Sequence, residues 1–237
     1  MRHRFNRSAL VRQLAGWQAA QADAPRQSVA ERLADWLNVA DAITLHAAHR
    51  SMAAVNTVKA QAVPGKAGDL NAECAQVRAT LAKSIATRPV TFHVQQPAAT
   101  AADFPLFQQR YLDQQRRMEM RIEALRVHVR QTLSLTSPPL AQLAALDAVL
   151  AQMLAGREQK LLGSVPSFLK ARFKDLYATR ASADDNRWLD TFEHDFQQTL
   201  LAELDLRLQP IVGMIDAWLQ HADAPTSHAQ VPDSVNA

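Results

Sequence analysis

Apolar side chains recur every three or four positions through most of this 237-residue chain, which is the period of an amphipathic α-helix. The longest such run extends from Phe104 to about Leu133. At seven-residue spacing it contains Phe104, Tyr111, Met118 and Leu125, with Gln108, Gln115, Ile122 and Val129 at the alternate positions. A rod of roughly 45 Å is too long for one short helix to cover. We therefore predict a coiled-coil or bundle stripe, with a partner interface at Tyr111, Met118, Ile122, Leu125 and Val129.

Capping residues and prolines divide the rest of the chain into further helices. Ser28 and Glu31 have the spacing of a capping box, and Ser137 precedes a proline at the first helical position. A glycine, a serine and a proline at 163–166 predict a capped corner of a helix hairpin, and Pro210 predicts an interruption or kink. Short connections favour antiparallel neighbours. The predicted fold is all-α, an elongated helical bundle around a long central helix.

Changes in composition suggest how the chain is divided. We predict an N-terminal helical region at 1–87, an extended linker at 88–103, a C-terminal helical bundle at 104–220 and a disordered tail at 221–237. The linker contains strand-like alternation at Val90, Phe92 and Val94, but one short strand without a partner forms no sheet. The tail is polar, contains proline and has no apolar period.

The single cysteine, Cys74, excludes an internal disulfide framework and any cysteine-based zinc site. This usage is typical of a reducing compartment, and we expect a cytoplasmic protein. The first residues are basic, as in a secretory signal peptide, but Arg12 and Gln13 interrupt the apolar run that such a peptide needs. We therefore expect a basic arm followed by an amphipathic helix. The most apolar stretch, Leu140 to Leu154, contains Asp147, so we expect no insertion into a membrane.

Charge is sorted along the chain. Residues 1–180 hold 24 lysines and arginines against 13 acids, whereas residues 181–237 hold 2 against 10. The stretch GREQKLLGSVPSFLKARFKDL, which we call the basic elbow, concentrates the cations Arg157, Lys160, Lys170, Arg172 and Lys174. These five residues are predicted to contact the phosphate backbone of DNA without reading its sequence. An acidic protein partner is the rival to DNA, and a solvated corner of a helix hairpin that binds no anion explains the same cations better than either.

Motifs that would fix a reaction are absent. The sequence has no phosphate-binding glycine loop, nucleophile elbow or HExxH motif. His46 and His49 share a helix face but have no nearby carboxylate, so we predict no metal and no cofactor. An interaction subunit is favoured over an enzyme. A hydrolase or nuclease of unrecognised type is the alternative, and a homodimeric scaffold joined along Tyr111–Val129 is the third hypothesis.

Two blocks of the sequence, SVAERLADWLNVADAITL and ALDAVLAQMLAGREQKLLGSVPSFLKARF, resemble an uncharacterised bacterial domain-of-unknown-function family. Its members share a serine-capped ERL…WL…DAI.L block and a later LL..VP..L..RF block. These are packing and capping patterns, so they transfer no functional residue to this chain.

The resemblance implies a genomic setting. Relatives lie beside membrane proton-driven motor proteins of the flagellar-stator type, in clusters similar to the Zorya anti-phage defence systems. By this analogy the protein would be a cytoplasmic accessory subunit that pairs with another subunit of a defence or motor complex. It would act on invading DNA downstream of the motor, or hold the effector that does.

Overall fold

The computed structural model describes residues 8–17, 39–52, 67–87, 104–182 and 187–223. These residues form seven helices and no strand: α1 (Ala9–Trp17), α2 (Val39–Met52), α3 (Ala67–Ala86), α4 (Phe104–Thr136), α5 (Pro138–Leu162), α6 (Val165–Ala178) and α7 (Arg187–Asp223). The predicted all-α fold is confirmed. The capping-box helix start at Ser28, the linker at 88–103 and the tail beyond Asp223 lie outside the described residues.

The two longest helices, α4 with 33 residues and α7 with 37, form the centre of the bundle. α7 packs against α1, α3, α4, α5 and α6, and α4 also contacts α3, α5 and α6. α2 packs on α5. Helices from both sides of the predicted linker therefore share one hydrophobic core, to which α3 contributes Leu81 and Ile85.

The apolar stripe of α4 is buried inside the chain. Tyr111, Met118 and Val129 are fully inaccessible, and Ile122 and Leu125 are 6% and 3% exposed. The amino-terminal half of the stripe differs from the prediction by one residue: Phe107 and Gln114 are buried, whereas Gln108 is exposed and Gln115 half-buried. A straight helix drifts about 20° per heptad from a seven-residue repeat, so a 33-residue helix cannot keep a strict heptad face.

Aromatic rings fill the core where α4, α6 and α7 meet. Phe173 of α6 contacts Phe192 edge-on at a centroid distance of 4.9 Å and Trp188 at 5.1 Å. Phe107 of α4 contacts Phe192 at 5.0 Å and Phe196 at 5.8 Å. Edge-to-face pairs of this kind add about 0.5–1.5 kcal/mol each to the burial of the rings. The cluster therefore fixes α6 against the two central helices.

The basic elbow is a bend in a nearly continuous helix, and the predicted hairpin corner is wrong. Gly163 (φ −63°, ψ −17°) and Ser164 (φ −81°, ψ −18°) both keep right-handed helical backbone angles. The Ser164 hydroxyl caps no N–H group but donates backwards to the Leu161 carbonyl at 2.6 Å. Since the chain never leaves the helical region, α5 and α6 diverge instead of folding back on each other.

Proline does not interrupt α7, which runs unbroken from Arg187 through Pro210 to Asp223. His221–Asp223, which the sequence assigns to a disordered tail, still belong to this helix, and the rest of the predicted tail lies outside the described residues. By length and composition alone, the bent stretch Pro138–Ala178 is apolar enough to cross a membrane, and 17% of its apolar window is buried in the bundle.

Candidate functional site

Three of the five predicted elbow cations are free of ion pairs within the described part of the chain. Lys160, Lys170 and Lys174 are exposed, and the two lysines of α6 lie one helical turn apart. Because they are exposed and form no ion pair, they are the elbow groups available to an anionic partner.

The other two elbow cations are engaged inside the molecule. Arg157 pairs with Asp41 of α2 at 3.0 Å, and its side chain is 33% exposed. Arg172 pairs with Asp195 of α7 at 2.8 Å and lies 5.8 Å from the ring centroid of Trp17. These arginines hold α2 and α1 in place, which leaves them less available to a phosphate backbone than the sequence suggested.

An acid–arginine triad joins α4 to α5 beside the elbow. The Asp147 carboxylate accepts hydrogen bonds from Arg126 at 2.6 and 2.8 Å and from Arg130 at 2.7 Å. Burial acts to raise the pKa of Asp147, but the bonds from Arg126 and Arg130 outweigh it and hold the pKa below its ordinary value. The bond to Asp147 raises the pKa of Arg126 in turn.

A second polar network lies wholly in the core between α4 and α7. The Glu203 carboxylate is inaccessible to solvent and accepts hydrogen bonds from the Tyr111 hydroxyl, the Gln115 amide and the Arg207 guanidinium. Burial, reinforced by the neighbouring carboxylate, raises the pKa of Tyr111 well above its ordinary value, so the phenol remains a donor. Tyr111 and Gln115 lie on α4 and Glu203 lies on α7, so two of these three bonds cross between the helices and fix the register of α4 on α7.

A groove of about 530 Å³ opens between α4 and α5, between the triad and the bend. Small side chains on α5, at Ala151 and Ala155, leave the space. The remaining lining combines apolar with charged groups: Leu112, Gln115, Arg116, Glu119, Ile122, Glu123, Arg126, Glu158, Gln159, Leu162, Gly163 and Arg207. Gln115 and Arg207 connect the groove to the buried Glu203.

The five predicted partner residues on α4 face this chain's own helices. Tyr111, Met118 and Val129 have no surface that a second molecule could contact without unfolding the bundle. The outward face of α4 instead carries Leu106 and Met120, which are 54% and 69% exposed. The predicted interface residues therefore pack in the core of this chain, and the described surface that a partner could reach includes the outward face of α4, the elbow and the groove.

In the described ranges, no group of three or more His, Cys, Asp or Glu side chains is arranged to hold a metal ion. His46 lies on α2, whereas the side chain of His49 is outside the described part. Cys74 is buried in α3, and burial raises its pKa, which disfavours the reactive thiolate.

Sequence reasoning missed the groove and the buried Glu203. A signal for Glu203 exists, because it falls within the apolar stripe of α7 beside Leu200 and Leu204, where a charge requires buried partners. No motif in the sequence signals the groove, whose space is left by the small residues Ala151 and Ala155.

Comparison with known proteins gives one match. Neither the curated proteins nor the solved structures include a match to this chain. The model of the DUF3348 family, described as proteins of unknown function, matches residues 1–220 and so spans all seven helices except the last three residues of α7. The chain therefore belongs to the DUF3348 family.

Proposed function

We propose that this protein is a cytoplasmic interaction subunit, a helical adaptor whose elbow contacts DNA without sequence specificity. The observation that carries the proposal is the state of the elbow cations: Lys160, Lys170 and Lys174 are exposed and unpaired within the described residues. Lysines that form no ion pair within the protein can neutralise phosphates and release counterions, which is the main source of non-specific affinity for DNA.

The charge distribution of the molecule supports the same proposal. Two acids of α7 pair with arginines of the bundle, Glu193 with Arg110 at 2.8 Å and Asp195 with Arg172. These acids neutralise arginines of the bundle, while the elbow lysines stay outside the pairs. The elbow stretch holds five cations against the two acids Glu158 and Asp175, and such an excess of positive charge steers a polyanion towards it.

The biological setting follows from the family resemblance. The proposed subunit is an accessory component of a motor-linked anti-phage defence system, and its protein partner is another subunit of that system. This part of the proposal predicts that deleting the gene in its native cluster raises the plating efficiency of phage, and that restoring the gene lowers it again.

DNA binding is tested by fluorescence anisotropy of a labelled duplex titrated with the protein over a series of salt concentrations. Replacing Lys160, Lys170 and Lys174 with glutamate should abolish most binding and reduce the salt slope by about 0.9 for each phosphate that the variant no longer neutralises. The matched control replaces Arg50, Lys83 and Arg121, which are exposed cations on α2, α3 and α4, with glutamate. Equal losses in both variants, or no binding at low salt, would remove DNA from the proposal.

A further inference from the structure

The guanidinium groups in the groove between α4 and α5 are committed to other partners. Arg126 donates two hydrogen bonds to Asp147, and the Arg207 Nε donates to the buried Glu203 at 2.9 Å. Turning Arg207 towards a ligand would leave the buried Glu203 carboxylate without its counter-charge, and turning Arg126 would break two of the hydrogen bonds to Asp147, so both changes are costly. Arg116 is the remaining arginine in the lining of the groove, and its side chain is 73% exposed and lies 3.8 Å from Asp113.

Three carboxylates in the same groove, Glu119, Glu123 and Glu158, accept no hydrogen bond from the described residues. Glu123 lies 3.7 Å from Arg130 and Glu158 lies 3.7 Å from Arg207, both beyond hydrogen-bond distance. Glu119 has no ion pair within the described chain, and the Gln115 amide nitrogen, not its oxygen, bonds to Glu203. The groove therefore offers oxygen acceptors above an apolar lining to which Leu112, Ile122 and Leu162 contribute.

We propose that this groove binds an arginine-bearing segment of a partner protein. The guanidinium is a planar donor that can form two parallel hydrogen bonds with one carboxylate, and the methylene stem of an arginine can pack on apolar walls such as those of Leu112 and Ile122. A volume of about 530 Å³ holds several side chains and exceeds what one small ion needs. The inference rests on the proposed function as an interaction subunit and names the site at which that subunit takes its protein partner.

The test uses the arginine side-chain analogue N-butylguanidinium and its neutral counterpart N-butylurea, titrated into the full chain labelled with ¹⁵N. Butylguanidinium should shift the side-chain amide of Gln115 and the backbone amides of Ala151, Ala155 and Gly163, whereas butylurea should not. Replacing Glu119 and Glu158 with glutamine should weaken binding of the cation about tenfold.

A charge-matched control distinguishes binding in the groove from general electrostatic attraction of the cation to the protein. Asp175 and Asp216 are exposed carboxylates outside it, and replacing both with asparagine changes the net charge by the same amount. Equal shifts around Asp175 and Asp216, or equal weakening in both double variants, would overturn the inference. Tighter binding of spermidine than of butylguanidinium would also overturn it, in favour of a free polyamine. None of these outcomes alters the DNA titration, because the elbow lysines do not line the groove.

Discussion

The contact between α4 and α5 depends on the Asp147 carboxylate, and Asp147→Asn is the sharpest test of it. The substitution keeps the shape of the side chain but leaves the guanidiniums of Arg126 and Arg130, 15% and 17% exposed, without their counter-charge. Removing one partner of a buried ion pair costs about 3–5 kcal/mol. Because Glu123 also lies 3.7 Å from Arg130, we expect the lower end of that range, about 3 kcal/mol of the free energy of unfolding.

Urea unfolding followed by far-ultraviolet circular dichroism measures this loss. The matched control is Asp205→Asn, which breaks the pair between Arg78 and Asp205 at 2.8 Å, where the side chains are 52% and 49% exposed. An exposed pair contributes at most about 1 kcal/mol. If Asp147→Asn costs no more than Asp205→Asn, the triad does not hold α5 on α4 and the reasoning about the groove beside it fails.

Further predictions concern pH, the aromatic core and the bend. The pKa of Asp147 is lowered in the folded state, so the contribution of this carboxylate to the free energy of unfolding should be complete above the pKa of about 3.9 that it has in the unfolded chain. The contribution should be lost as the pH falls through the lower pKa of the folded state. The stability difference between wild type and Asp147→Asn should therefore shrink on acidification. Phe173→Ala should cost about 3–5 kcal/mol by urea unfolding, whereas Phe168→Ala, at a half-buried position, should cost clearly less. Gly163→Ala should destabilise the protein, because the new Cβ would lie 2.9 Å from the Gln159 carbonyl oxygen. In Gly156→Ala the new Cβ meets no atom within 4 Å, so this variant should be more stable by about 0.5–1 kcal/mol. The thermal midpoints of the two variants should therefore move in opposite directions.

The fold was predictable because helical periodicity survives tertiary packing. The apolar stripe of α4 and the proline that starts α5 both lie where the sequence places them. The phase of the stripe was less predictable, since Phe107 and Gln114 are buried in place of the predicted Gln108 and Gln115. Whether a given position turns inwards depends on helices that approach α4 from several directions.

The candidate sites were harder to predict, because a charge does not reveal its partner. Arg157 and Lys160 are equivalent in a count of elbow cations, yet Arg157 reaches Asp41 in a distant part of the sequence while Lys160 stays in solvent. Gly163, Ser164 and Pro166 together predict the end of one helix and the start of another. In the structure, the backbone N–H groups of Gly163 and Ser164 donate hydrogen bonds to carbonyls of α5 and keep the helix nearly continuous. Long-range pairing and backbone angles of this kind are not encoded in local spacing.

The central claim is that the elbow is the contact surface of an interaction subunit. Site-specific photo-crosslinking in living cells tests it most directly, with a benzophenone amino acid placed at Lys170 on α6 or at Lys83 on α3, both exposed. We predict adducts with DNA or with a second protein from position 170 and none from position 83. No adduct from position 170, or the same adducts from both positions, would contradict the account.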